Sequence, residues 1–130
     1  MSGEIVLGII LAHFVGDYII QNHRMAVRKL ESWPVALVHG FSYTIPYIFV
    51  TQSIPALLVI ALTHALIDRY RLARYVVWAR NQLAPAKWRP SLDSATGSPE
   101  SAPPFLAVWL MIIADNTLHL LINVAAVLWL

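Results

Sequence analysis

Apolar residues fill four long stretches of the chain, and the polar residues that interrupt them are mostly histidine, aspartate and asparagine. A spanning helix needs about 20 mainly apolar residues to cross roughly 30 Å of hydrocarbon. Stretches near that length lie at about 5–21, 34–51, 54–71 and 105–130. Pro34 suits the first turn of the second, where its missing N–H would have no helical partner anyway. Ser53 and Pro55 give the third an N-cap and a first-turn proline. The pattern predicts an all-α fold: one integral membrane domain over 1–130, built as a four-transmembrane-helix bundle whose second and third helices form a tight hairpin. Helix three is expected to continue to about residue 83 as a cytoplasmic extension, where Arg69, Arg71, Arg74 and Arg80 alternate with Tyr70, Tyr75 and Trp78 as suits a headgroup layer. Residues 84–104, rich in proline and serine, are expected to be a flexible linker. The first stretch reads as a retained helix rather than a signal peptide, since it lacks a basic leading region and carries His13 and Asp17 inside the apolar run.

Composition strengthens the membrane reading. Hydrophobic residues make up 58% of the 130 positions and charged residues only 12%, against roughly 25% charged in an ordinary soluble domain. A soluble globule of this length needs far more polar surface. With no cysteine, disulfides and thiolate metal sites are excluded. The net charge of +2 says less than its placement. Arg24, Arg28 and Lys29 precede the second stretch; Arg69, Arg71, Arg74, Arg80, Lys87 and Arg89 lie between the third and fourth; together they are all nine Lys and Arg. With four spans those two connections share one face, which the positive-inside rule makes cytoplasmic. The expected location is a bacterial inner (cytoplasmic) membrane, multi-pass, with both termini non-cytoplasmic. The basic face suits membrane lipids as partners, and no nucleic-acid partner is expected of so short a basic stretch beside a membrane.

Ionisable groups at membrane depth are costly unless paired, and they commonly mark function. His13, Asp17 and Gln21 recur every fourth residue on helix one, His64 and Asp68 on helix three, and Asp115, His119 and Asn123 on helix four, with Asn116 beside them. This spacing puts each set on one helix face. Helix two adds His39 with Ser42, Tyr43 and Pro46 on the same side. Counting 1.5 Å per residue from each cytoplasmic end puts the expected meeting place in the cytoplasmic half of the bundle. Gly8, Ala12 and Gly16, and likewise Ala61 and Ala65, form small-residue ridges that would let helices one and three approach closely.

Imidazole nitrogens and carboxylate oxygens are ligands suited to zinc, manganese or nickel. A divalent ion would relieve the repulsion among clustered aspartates. The expected metal ligands are His13, Asp17, His64, Asp68 and His119, with Asp115 and His39 as the catalytic residues should a metal-bound water act as nucleophile in a metal-dependent hydrolase of a lipid or lipid-linked headgroup. The bland alternative is a network of Asp–His pairs, each worth about 0.6 kcal/mol in a membrane. Two other functions use the same residues differently. A proton or divalent-ion transporter or channel subunit would use them as a relay and would form a homo-oligomer, because four spans leave little room for a pathway. A non-catalytic membrane adaptor would rely on the basic face instead.

The elements LAHFVGDYIIQ, ALVHG, THALIDRYR and DNTLHLL together resemble the bacterial and phage membrane proteins grouped as domain of unknown function 3307. The resemblance covers nearly the whole chain except the linker. It implies a short four-span protein and picks out His13, Asp17, Gln21, His39, His64, Asp68, Asp115 and His119. Asn116 stands where the family pattern suggests glutamine, a change within one hydrogen-bonding class. No reaction comes with the resemblance.

Overall fold

The computed structural model describes residues 2–130. Among them are six α-helices and no strand. They are α1 (Gly3–Phe14), α2 (His23–Arg28), α3 (Trp33–Tyr43), α4 (Ile54–Tyr70), α5 (Ala73–Asn81) and α6 (Pro104–Trp129). A π-helical turn, Val15–Ile20, continues α1. Two helical segments, Gly3–Ile20 and Pro104–Trp129, are long and apolar enough to cross a membrane.

The chain forms two compact units. The first runs to Tyr70 and includes His119–Leu130. Its helix starts follow local chemistry: the Ser2 hydroxyl accepts from Ile5 N, Asn22 Oδ1 from Met25 N, and Ser53 Oγ from Ala56 N. The second stretch is not one uninterrupted α-helix. It leaves the α form at Tyr43 and continues as a 3-10 helix, Ile45–Phe49. Pro46 explains the change, because it cannot donate to the carbonyl four residues back and its ring crowds that carbonyl. Just before it, Thr44 donates to the Phe41 carbonyl from both Oγ1, at 2.7 Å, and N, at 3.2 Å.

The small-residue ridges also act differently from expectation. A Cβ placed on Gly16 would strike the Tyr43 ring, and one on Gly40 would lie 2.5 Å from the Ala61 carbonyl oxygen and 3.1 Å from Ala65 Cβ. The ridges of helices one and three therefore receive α3, rather than each other. The buried cluster of this unit is Ile9, Ala12, Tyr43, Tyr47, Ala56, Ile60 and Ala126. Many of the larger aliphatic and aromatic side chains point outward: Phe49 is 90% exposed, Ile19 76% and Leu121 65%.

The second unit is Arg71–Leu118. Helix three does not extend unbroken to residue 83. Arg71 adopts a positive φ of 50°, the left-handed conformation that ends α-helices, and α5 begins afresh at Ala73. The segment 84–104 carries a single 3-10 turn, Ala86–Trp88, and folds back over α5. Asn81 Nδ2 donates to the Gly97 carbonyl at 2.9 Å and Gln82 Nε2 to that of Pro90 at 3.2 Å. Gly97 sits at φ 72°, and a Cβ there would run into the Arg74 carbonyl and Trp78 N, so this turn needs glycine for both reasons.

Candidate metal centre

In the first unit four helical segments each deliver part of one buried polar cluster. Asp17 comes from the widened π turn that follows α1, a local form common at functional sites. His39 comes from α3, His64 and Asp68 from successive turns of α4, and His119 from α6. All are buried, the histidines at 1% exposure or less, Asp17 at 8% and Asp68 at 5%.

His64 Nε2 is the hub. It lies 3.0 Å from His39 Nε2, 3.3 Å from Asp17 Oδ1 and 3.1 Å from Asp68 Oδ2. His39 Nε2 is in turn 3.3 Å from both Asp17 Oδ1 and Asp68 Oδ2. His119 Nε2 is 3.6 Å from Asp68 Oδ1. Two sets of ligand atoms, Asp17 with His39 and His64, and His64 with Asp68 and His119, each lie within 4.8 Å of one another. Both sets include His64, and each could hold a metal ion. The donors fit such an ion: two carboxylates offset a divalent charge, and neutral imidazoles complete the set. Asp17 Oδ1 is buried without a well-aligned hydrogen bond, and Asp68 Oδ2 already faces a cation, the Lys29 ammonium at 2.7 Å.

Ring packing fixes the hub. The His64 ring stacks between Tyr43, 3.7 Å away at 20°, and His119, 4.1 Å away at 28°. Tyr43 then ties the cluster to a second network. Its hydroxyl meets His13 Nδ1 at 2.7 Å and accepts from Asn123 Nδ2 at 2.7 Å. Tyr47 OH accepts from the same amide at 2.7 Å and donates to the Ile9 carbonyl at 3.2 Å. Tyr43→Phe would remove the hydroxyl that meets His13 and accepts from Asn123 in a buried site, at about 1–3 kcal/mol. The expected result is a melting temperature several degrees lower; an unchanged melt would show that these bonds contribute nothing.

The structure thus gathers Asp17, His64, Asp68 and His119 as expected, and brings His39 into the same cluster at ligand distance. His13 adjoins it, with Nδ1 3.6 Å from Asp17 Oδ2 and closer to Tyr43. Asp115 belongs to the second unit, half-buried on α6. Gln21 turns back to donate to the Asp17 carbonyl at 3.0 Å. Sequence reasoning missed Lys29. Its ammonium lies 2.7 Å from Asp68 Oδ2 and 3.4 Å from His39 Nε2, and no spacing rule points a connection residue into the cluster.

The chain belongs to the family described as protein of unknown function (DUF3307), whose profile matches residues 5–130. No curated protein and no solved structure matches it.

Proposed function

We propose that this member of the DUF3307 family is a four-span membrane protein that binds one divalent transition-metal ion in its buried His/Asp cluster. The convergence of Asp17, His39 and His64, and of His64, Asp68 and His119, each set with ligand atoms within 4.8 Å of one another, carries the reading. Zinc, manganese and nickel fit mixed imidazole and carboxylate donors, whereas magnesium prefers all-oxygen sites. Catalytic zinc sites keep a position open beyond about three protein ligands. Five donors in one cluster favour binding or transfer of the ion over hydrolysis of a lipid headgroup.

The membrane part is supported by the pattern of burial. Histidine, aspartate and asparagine share the interior with small and aromatic residues and a few isoleucines, while phenylalanine and many leucine side chains face outward. Contiguous apolar exteriors of this kind mark contact with lipid or a partner. Besides the two long segments, α4 with its 17 residues reaches the lower limit for a span. In α3 and the 3-10 helix after it, at 1.5 and 2.0 Å per residue, the chain covers about 25 Å. The Lys and Arg distribution supports a topology with both termini outside the cytoplasm. Phosphatase fusions should be active at the C-terminus and inactive at Ala95; an inactive C-terminal fusion would overturn this topology.

Elemental analysis tests the metal. Protein purified without chelator is expected to carry about one zinc, manganese or nickel per chain, and EDTA should lower its melting temperature. No stoichiometric metal, with no change in the melt on adding EDTA or Zn²⁺, would leave a network of Asp–His pairs and end the metal reading.

A further inference from the structure

Lys29 is a connection residue by sequence and a cluster residue in the fold, with only 15% of its side chain exposed. The turn that carries it is clamped from two sides. Ser32 N and Glu31 N both bond to the Arg28 carbonyl, at 2.9 and 3.0 Å. Arg69, next to Asp68 on α4, donates from Nη1 to the Leu30 carbonyl at 2.5 Å. The Arg69 guanidinium also sits 6.0 Å from the Trp33 ring centre and 5.6 Å from that of Tyr70. The ammonium is thereby held at Asp68 Oδ2, the oxygen that also faces His39 and His64.

From this geometry we infer that Lys29 is a tethered competitor for the metal site: its ammonium and a divalent ion cannot both occupy the Asp68 side of the cluster, so the metal binds by expelling Lys29. The inference rests on the metal reading above and adds a selectivity rule to it. An ammonium contributes one positive charge toward the two carboxylates, Asp17 and Asp68. A monovalent ion that took its place would gain nothing in charge and would lose the tether. A divalent ion neutralises both carboxylates and gains the imidazole lone pairs, which an ammonium can approach only as a hydrogen-bond donor. Lys29 therefore weakens divalent binding by a fixed factor and shuts out monovalent ions. It also keeps the two buried carboxylates from facing each other uncompensated when no metal is bound. A flexible four-carbon stem suits a cation that must move in and out of a site.

The test compares Zn²⁺ binding by the wild type, Lys29→Met and Lys29→Arg, each as the full chain. Lys29→Met is expected to bind Zn²⁺ at least tenfold more tightly than the wild type, equal to about 1.4 kcal/mol. Its metal-free form should melt lower than the wild type, and Zn²⁺ should raise its melting temperature by more. Lys29→Arg keeps the cation and should stay within about threefold of the wild type. A second measurement needs no variant: amine acylation of Lys29 in the wild-type protein, read by mass spectrometry, should speed up several-fold on adding Zn²⁺ while Lys87 reacts at an unchanged rate. Zn²⁺ binding by the wild type with equal or weaker binding by Lys29→Met, or with Lys29 labelling that Zn²⁺ leaves unchanged, would overturn the competitor role and leave the metal site standing. Absence of Zn²⁺ binding by all three proteins would overturn both.

Discussion

Alanine in place of His64 is expected to abolish stoichiometric metal binding, with an affinity loss well beyond 100-fold. The expectation follows from the hub position. His64 is the residue shared by both sets of ligand atoms, and its Nε2 lies within 3.3 Å of Asp17, His39 and Asp68. Removing a group that merely orients a ligand costs about 10–100-fold in affinity, so loss of the shared ligand should cost more. The ring also fills the stack between Tyr43 and His119, and its removal leaves a cavity that frees both neighbours. His13→Ala gives the contrast. Its Nδ1 faces the Tyr43 hydroxyl at 2.7 Å, and the variant should keep about one metal per chain while melting lower. Elemental analysis of the two proteins purified side by side decides the matter. A full metal complement in His64→Ala would remove the proposed site, and loss of metal in His13→Ala would make His13 a ligand.

The helical character of the chain and most of the cluster were legible in the sequence because both depend on short-range periodicity. A four-residue interval puts His64 and Asp68 on one face whatever surrounds the helix, and an apolar run predicts helix from composition alone. What the sequence hid depends on tertiary approach. Lys29 belongs by position to the basic residues that set orientation, and nothing in its sequence neighbours shows that Arg69 holds its turn against α4. The partner of the small-residue ridges is hidden for a related reason. Gly40, alone in the middle of helix two, gave no ridge of its own, yet it is the residue against which Ala61 and Ala65 close. Pro46 breaks the α form, but the apolar residues around it suggest one continuous span. Arg71 offered no sign of its left-handed backbone, since glycine or asparagine is the usual residue there.

Gly40→Val is expected to destabilise the first unit strongly, by about 3 kcal/mol or more. Two terms oppose each other. Replacing glycine inside a helix gains up to about 1 kcal/mol of helix propensity for alanine and less for a β-branched residue. Against this stands the α3–α4 contact. The first added carbon would already lie 2.5 Å from the Ala61 carbonyl oxygen and 3.1 Å from Ala65 Cβ. Both obstacles belong to a helix backbone or its first side-chain atom, so neither can swing aside. Overpacking costs typically 1–3 kcal/mol, and the two extra methyl groups of valine put this site at the upper end or above. The damage should reach the cluster as well. Gly40 follows His39, and Ala61 lies one turn before His64, so separating α3 from α4 pulls apart the 3.0 Å approach of their Nε2 atoms. Gly40→Ala should be intermediate, and Gly3→Val, whose added carbon would meet nothing within 4 Å, should be neutral. Thermal unfolding and zinc content of the three variants test the sequence of effects. A Gly40→Val protein that melts with the wild type and binds Zn²⁺ normally would show that α3 and α4 do not meet at this glycine.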